Sequence, residues 1–310
     1  MKRLPEISIT AYRRITLVAL VALCVIIVTG GAVRLTGSGL GCSDWPGCEQ
    51  EQFVAPLELN PMVEFVNRMI TGVVSVSIAL AVLGSLRLRE RRPDLTALSL
   101  GLVAGVVGQI LLGALTVKFE LAPPFVMGHF LLSLALVTNA VALYHRAGEP
   151  PTEPVTVVSG GLRRLTWALG PALGVAVVAG TVVTGTGPHG GDEEAPRFGF
   201  DIEAVARIHS LSVLVFLGLL LVVLGTATRE GAPHTFVART RWLLGLSVAQ
   251  ATIGWVQYFT GVPVVLVGLH ILGATLVWAA MCFVVLACRV RPVSTPAAEP
   301  VGTGALLGQN

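Results

Sequence analysis

The chain has 310 residues, of which 54% are hydrophobic and 13% charged, with a formal net charge of +3 and a mean hydropathy of +0.79. This composition excludes an ordinary soluble domain, and the small positive charge gives no indication of nucleic-acid binding. It predicts an integral membrane protein.

Eight apolar runs follow one another along the chain, each of about 20 residues, the length that crosses the hydrocarbon core of a bilayer. Because lipid offers no hydrogen-bond partner to a backbone amide, each run is predicted to be a helix. The predicted spans are residues 15–33, 62–86, 95–117, 124–144, 165–187, 203–226, 241–260 and 264–288. The first run is longer than the apolar part of a signal peptide, so we interpret it as a helix rather than a cleaved leader.

Charges in the loops predict the orientation of these spans. Most of the 21 Lys and Arg residues lie in loops on the side of the N-terminus, whereas the opposite loops are rich in acids such as Asp192, Glu193 and Asp201. By the positive-inside rule, both termini are predicted to be cytoplasmic.

One stretch of the chain occurs twice. Residues 109–129 read QILLGALTVKFELAPPFVMGH, and residues 250–270 read QATIGWVQYFTGVPVVLVGLH. A Gln, a Gly and a His recur with a single offset of 141 residues, in the pairs Gln109 and Gln250, Gly113 and Gly254, and His129 and His270. A constant offset over three such positions predicts a tandem repeat.

Four helices per repeat return the chain to its starting side, so the two halves have the same orientation. We therefore predict an all-α integral membrane fold of two tandem four-helix bundles, related by a pseudo-two-fold axis along the membrane normal. The bundles are residues 1–146 and 162–291, joined by a cytoplasmic linker at 147–161 and followed by a disordered tail at 292–310.

The first external loop contains Cys42 and Cys48 around Ser-Asp-Trp-Pro-Gly. Because the outer face is oxidising, a disulfide is the favoured interpretation, and two free or redox-cycling thiols are the alternative. His189 in a later external loop is expected to be solvated, and His145 and His234 are expected to be surface residues.

A few polar side chains inside the predicted spans are expected to lie at the same depth in the membrane. Ionisable groups in a membrane interior are costly and are functional candidates by default. All members lie on even-numbered spans, within about two turns of the outer end, and they are Glu64, Asn67, Arg68, His129, Arg207, His209 and His270.

Histidines at one depth on facing helices suggest a haem site, since haem iron takes axial imidazoles from either side. His209 and His270 are predicted to supply both axial ligands of one haem, and His129 is predicted to face Asn67. Nearby cations are candidates for haem propionates, namely Arg34, Arg68, Lys118, Arg197 and Arg207. Simpler alternatives are interhelical hydrogen bonds for each His and for Gln109 and Gln250, and a helix-surface ion pair for Glu64 and Arg68.

The segment Gly31–Cys48, GAVRLTGSGLGCSDWPGC, resembles the signature after the first helix of the haem A synthases, the CtaA family. The resemblance extends over essentially the whole chain. It includes Glu64-Phe-Val-Asn67-Arg68 against the family's Glu-x-x-His-Arg, His129, the Thr-Gly-x-Gly-Pro-His loop at 184–189, His209 and His270.

This resemblance implies a multi-pass oxidoreductase of the bacterial plasma membrane that oxidises the C8 methyl group of haem O to the formyl group of haem A. The hydroxylations would occur in the N-terminal half, where Glu64 matches the acidic residue near the substrate haem. A haem b held by His209 and His270 would serve electron transfer or structure, and Cys42 and Cys48 match the outer cysteine pair. Haem O synthase and cytochrome oxidase assembly factors are the implied partners, and homo-oligomerisation is left open.

One residue departs from the family, because its second-helix His is Asn67 here. Asn is a poor iron ligand, so the substrate haem is expected to be five-coordinate or weakly ligated and held mainly by His129, with Arg68 beside it. The alternative function is a non-catalytic b-type cytochrome or haem-delivery scaffold. Prenyl transfer is disfavoured because the sequence has no Asp-x-x-x-Asp pair for a magnesium diphosphate.

Overall fold

The computed structural model describes residues 6–42, 54–55 and 57–293, which form eight helices and two short strands. The helices are α1 (Ile9–Leu35), α2 (Leu59–Ser85), α3 (Pro93–Lys118), α4 (Pro123–Ala147), α5 (Gly160–Thr186), α6 (Ile202–Arg229), α7 (His234–Phe259) and α8 (Val264–Leu286). The strands are β1 (Val155–Thr156) and β2 (Arg289–Val290). We call the side on which odd-numbered helices end the outer side, following the charge pattern.

Local chemistry explains where several helices begin. Ser8 and Ser159 cap α1 and α5, since each hydroxyl accepts a backbone N–H from the first turn. Asp201 caps α6 by accepting two such N–H groups. Pro93 and Pro123 begin α3 and α4, where the missing N–H would have no partner within the helix.

All eight predicted runs are helical, and seven of these helices in the described chain are long and apolar enough to cross a membrane. The exception is α7, whose composition includes Arg239, Arg241, Gln250 and Gln257. The prediction of membrane spans is therefore supported for seven helices, and for α7 it stays a prediction.

Helix contacts follow the chain order. In the first half α1 packs on α2, α2 on α3, α3 on α4, and α4 on α1; the second half has the same four kinds of contact among α5 to α8. Between the halves, α8 packs on α1 and α4, and α4 also contacts α5. The indole of Trp278 on α8 donates to the Thr138 hydroxyl on α4 at 2.8 Å across this junction. A membrane-normal axis relating the halves stays a prediction.

The connection predicted as a cytoplasmic linker at 147–161 contains a strand. Val155 pairs with Val290, and Thr156 with Arg289, in an antiparallel arrangement. Such short strands leave no periodic signal in a sequence, which is why this pairing was not predicted. The predicted disordered tail lies almost entirely outside the described residues.

Two outer turns share an unusual backbone geometry. Glu120 and Leu121, between α3 and α4, have φ angles of 50° and 61°, while Gly261 and Val262, between α7 and α8, have 78° and 58°. Each pair is separated from its counterpart by the same 141 residues as the sequence repeat. The recurrence therefore includes left-handed backbone conformations as well as residue types.

Candidate functional site

The polar residues predicted at one level do lie near the outer ends of their helices. His129 and His270 are each six residues beyond the first residue of α4 and α8, which is about 9 Å along the helix axis. His209 is seven residues into α6 and Asn67 eight into α2. The four side chains therefore share one depth on four different helices.

His209 and His270 face each other in the second half. Their ring centroids are 6.3 Å apart, and the ring planes make an angle of 80°. Two imidazoles on opposite sides of one metal ion, with bonds of about 2 Å, place their ring centres about 6 Å apart. This spacing fits a single ion between the rings.

The surroundings of these rings favour ligation by neutral imidazole. Nδ1 of His209 is 2.8 Å from the Ala176 carbonyl on α5, an arrangement that protonates Nδ1 and leaves Nε2 as the ligating atom. Nδ1 of His270 is buried without a hydrogen-bond partner among the described residues. These residues therefore fit a haem with two axial histidines.

No cluster of three or more His, Cys, Asp or Glu side chains suited to a metal ion occurs within the described parts of the chain. The His209 and His270 pair offers only two protein ligands. A planar cofactor that brings its own nitrogen ligands is the kind of group that two axial residues can hold.

Glutamines fix the backbone beside two of the histidines. Gln250 on α7 donates to the His270 carbonyl at 2.8 Å, and Gln109 on α3 donates to the His129 carbonyl at 3.1 Å. The interpretation of both glutamines as interhelical hydrogen-bonding residues therefore agrees with these contacts. Gln109 also donates to Ser133 at 2.7 Å.

Asn67 is held by a neighbour on α1. The Thr29 hydroxyl donates to Asn67 Oδ1 at 2.8 Å. Thr29, Ala32 and Asn67 line an otherwise apolar groove of about 280 Å³ between α1 and α2. Asn67 therefore presents an amide to this groove.

Glu64 is buried and uses both carboxylate oxygens. Oε2 accepts the backbone N–H of Cys42 at 2.9 Å, and Oε1 accepts from Arg68 at 2.5 Å. The pair spans one turn of α2, as the ion-pair alternative expected, but it is shielded rather than on the surface. Glu64 thus joins α2 to the start of the first external loop. Cys48 lies outside the described residues, so its disulfide with Cys42 stays a prediction.

Three of the five cations predicted for propionates, Lys118, Arg207 and Arg34, have different surroundings. Lys118 is exposed beside the Phe119 ring, and Arg207 is 76% exposed and paired with Glu203 at 3.2 Å. Arg34 donates to the Thr184 carbonyl at 3.0 Å, and its buried Nε has no hydrogen-bond partner among the described residues. Arg34 is therefore the one of the three that is suited to an anion at the junction of the halves.

Two histidines have contacts that the sequence did not predict. His145, expected on the surface, is shielded between Glu149 at 3.5 Å and Arg239 at 3.3 Å. His189, expected to be solvated, is partly buried, and its Nε2 is 2.8 Å from the Val262 carbonyl in the turn between α7 and α8. In both cases the partners are distant in sequence, so no local pattern indicates them.

The sequence profile of a family described as cytochrome oxidase assembly protein, COX15-CtaA, matches residues 13–60 and 58–189. The match covers α1 to α5 and ends before α6. It includes Glu64, Asn67 and His129, whereas His209 and His270 lie beyond it.

Curated relatives extend the similarity over both halves. A heme A synthase of Shouchella clausii (strain KSM-K16) is 25% identical over 290 residues, covering 88% of this chain and 96% of that protein. A heme A synthase of Listeria welshimeri serovar 6b is 25% identical over 289 residues, covering 87% and 93%. One from Lysinibacillus sphaericus (strain C3-41) is 32% identical over 119 residues, covering 37% and 38%.

Proposed function

The chain belongs to the COX15-CtaA family of cytochrome oxidase assembly proteins, and from this premise we propose that it is a haem A synthase. It is a multi-pass membrane oxidoreductase that oxidises the C8 methyl group of haem O to the formyl group of haem A. The observation that carries the proposal is the facing pair of His209 and His270, 6.3 Å apart, in a chain whose full-length relatives are heme A synthases.

In the second half, His209 and His270 are the residues that would hold a haem b. When bound, this group supplies one-electron transfer. The Ala176 carbonyl orients the His209 ring and keeps its Nδ1 protonated, and Gln250 fixes the backbone of His270.

In the proposed first half, His129 is the protein ligand of the substrate haem O. Asn67 faces the groove between α1 and α2 as an amide, so this half offers one strong axial ligand where the second half offers two. An open axial side suits oxygen chemistry on the substrate. Glu64 accepts or relays protons beside the methyl group, and Arg68 orients its carboxylate through a hydrogen bond.

A propionate of either haem binds Arg34 in this proposal. The support is that its Nε has no hydrogen-bond partner in the part of the chain that the structure describes, and that the like charge of Arg197 is near, since two cations close together favour an anion between them. Lys118 and Arg207 lie on the exposed rim, where ionic contacts contribute little.

The proposed topology has two tandem bundles in the bacterial plasma membrane, with both termini in the cytoplasm. The contact pattern within each half and the excess of basic residues on one side support it. A disulfide between Cys42 and Cys48 would close the first external loop beside Glu64. Haem O synthase and oxidase assembly factors are the expected partners.

Haem analysis tests the proposed activity. The chain is expressed in a host that makes haem O but lacks its own haem A synthase, and the extracted haems are separated chromatographically. We expect haem A, which the same host without the chain does not form. Only haem B and haem O, together with a bis-histidine spectrum of the purified protein, would instead establish the non-catalytic cytochrome.

A further inference from the structure

Two glycines lie directly against the paired histidine rings. A Cβ atom added to Gly254 on α7 would be 2.9 Å from Cε1 of His270, and one added to Gly180 on α5 would be 3.0 Å from Cε1 of His209. Real Cβ atoms essentially never show a contact of 2.9 Å, and a contact of 3.0 Å is tighter than nine in ten of theirs, so each ring occupies space that a side chain would take.

The two glycines occupy equivalent places on their helices. Gly180 lies one turn beyond Ala176, whose carbonyl contacts the His209 ring, and Gly254 lies one turn beyond Gln250, which binds the His270 backbone. Residues four apart share a helix face. Each helix therefore contacts its histidine through a polar group, and one turn later it presents a glycine to the same histidine.

The first half lacks this tight contact. At Gly113, the repeat partner of Gly254, an added Cβ would be 3.6 Å from Cε1 of His129, which is an ordinary van der Waals distance. Aligning the Thr-Gly sequences at 36 and 184 places Ala32 opposite Gly180, and Ala32 borders the groove beside Asn67. The first half thus has a side chain, that of Ala32, at the position equivalent to Gly180, and the residue beside it is Asn67 and not a histidine.

We propose that Gly180 and Gly254 are positioning residues that set the crossed orientation of the His209 and His270 rings. Without a Cβ, each helix lets the Cε1 side of an imidazole approach its backbone closely, and the two rings lie at 80° to each other. This inference rests on the proposed haem b site. The orientation of axial ligands and the groups behind them are among the means by which a protein tunes a haem.

The test compares Gly254→Ala and Gly180→Ala with Gly113→Ala in the purified full-length protein. Haem b content, the visible spectrum and the low-spin ferric EPR signal are measured, because the g values of a bis-imidazole haem depend on the angle between the ring planes. We expect a large shift of the EPR signal, or roughly 10–100-fold weaker haem retention, in both second-half variants. Gly113→Ala should leave the haem b signals unchanged.

Alanine favours helix over glycine, so α5 and α7 are expected to fold in these variants, and gel filtration checks this. If both second-half variants keep the wild-type EPR signal and haem content, or if Gly113→Ala changes them equally, the positioning role is wrong. If wild-type protein itself shows no bis-histidine haem, the proposed haem b site fails first. The two failures are therefore distinguishable.

Discussion

At the scale of single residues, Glu64 on α2 accepts the Cys42 N–H of the first external loop with one carboxylate oxygen and a hydrogen bond from Arg68 of its own helix with the other. Glu64→Gln keeps an acceptor and a side chain of the same size but removes the base. We predict that this variant stays folded and loses most haem A formation, because proton transfer by a placed side chain contributes roughly 10²–10⁴-fold to a rate. Glu64→Ala should lose activity and also weaken the loop contact. Normal conversion by Glu64→Gln, measured by haem extraction, would show that Glu64 has only a structural role.

Asn67 stands where the resemblance to the haem A synthases leads us to expect a histidine. We predict that Asn67→His gives the haem in the first half a second axial ligand, so that its ferric spectrum changes from high spin to low spin. The spectrum is recorded on protein loaded with haem O, with His129→Ala in the same background as the control. A haem O complex that is already low spin in the wild-type protein would contradict the open axial side.

The histidines could be predicted from the sequence because an ionisable residue inside an apolar run is conspicuous and helix geometry converts its position into a depth. Gly180 and Gly254 could not, since glycines are frequent in this chain and only the approach of a ring distinguishes these two. The contact of Arg34 with the Thr184 carbonyl joins two halves that no local pattern relates.

At the scale of elements, the turn before α8 contains a strained residue. Val262 has a φ of 58°, which costs a β-branched side chain about 1–2 kcal/mol. We predict that Val262→Gly stabilises the protein by about 1 kcal/mol, after allowance for the greater freedom of glycine in the unfolded chain. Thermal unfolding in detergent measures the change.

Leu121 provides the matched control, because it occupies the equivalent turn with a φ of 61° but is buried. Its side chain packs against Gly39 and Gly191 of two outer loops. Leu121→Gly should therefore destabilise the protein by about 2 kcal/mol or more despite the relief of strain. Equal losses of thermal stability in both variants would show that strain at Val262 is unimportant.

The helices themselves could be predicted almost completely, because apolar runs of membrane length have no alternative structure in lipid. The two-residue strands β1 and β2 could not be predicted, since their pairing joins the linker to the segment after α8. The weaker apolar character of α7 is visible in its Arg and Gln residues, although residues 241–260 still form one of the eight apolar runs that predict a helix.

At the scale of the whole molecule, charged residues on the inner side join the two halves. Glu149, after α4, lies 3.5 Å from His145 and 3.9 Å from Arg291, which follows α8. Burial alone would raise the pKa of Glu149, but contacts with His145 and the charges of Arg146 and Arg291 outweigh it and hold that pKa below its usual value. The ionised carboxylate therefore stabilises the folded chain.

Because the pKa of Glu149 is lower in the folded than in the unfolded protein, its contribution is present above about pH 4.3 and is lost as the pH falls through the folded value. We predict that the melting temperature of wild-type protein in detergent falls more steeply over this range than that of Glu149→Gln. Parallel curves for the two proteins would show that Glu149 does not couple the halves in this way.

The repeat could be predicted from three residues at one offset, and the recurring turn geometry supports it. The repeat alone could not predict how the two halves divide the chemistry. The second helix of each half carries a different residue near its outer end, Asn67 on α2 and His209 on α6. That division is the central claim of this account: the first half acts on haem O, and the second holds haem b.

Paired measurements on His129→Ala and His270→Ala test this claim most directly. For each purified variant the haem b spectrum is recorded, and haem A formation is measured by extraction from the expressing cells. We predict that His129→Ala keeps the haem b spectrum and makes little or no haem A, whereas His270→Ala loses the bis-histidine spectrum. Wild-type haem A formation by His129→Ala, or an unchanged haem b spectrum in His270→Ala, would contradict the account.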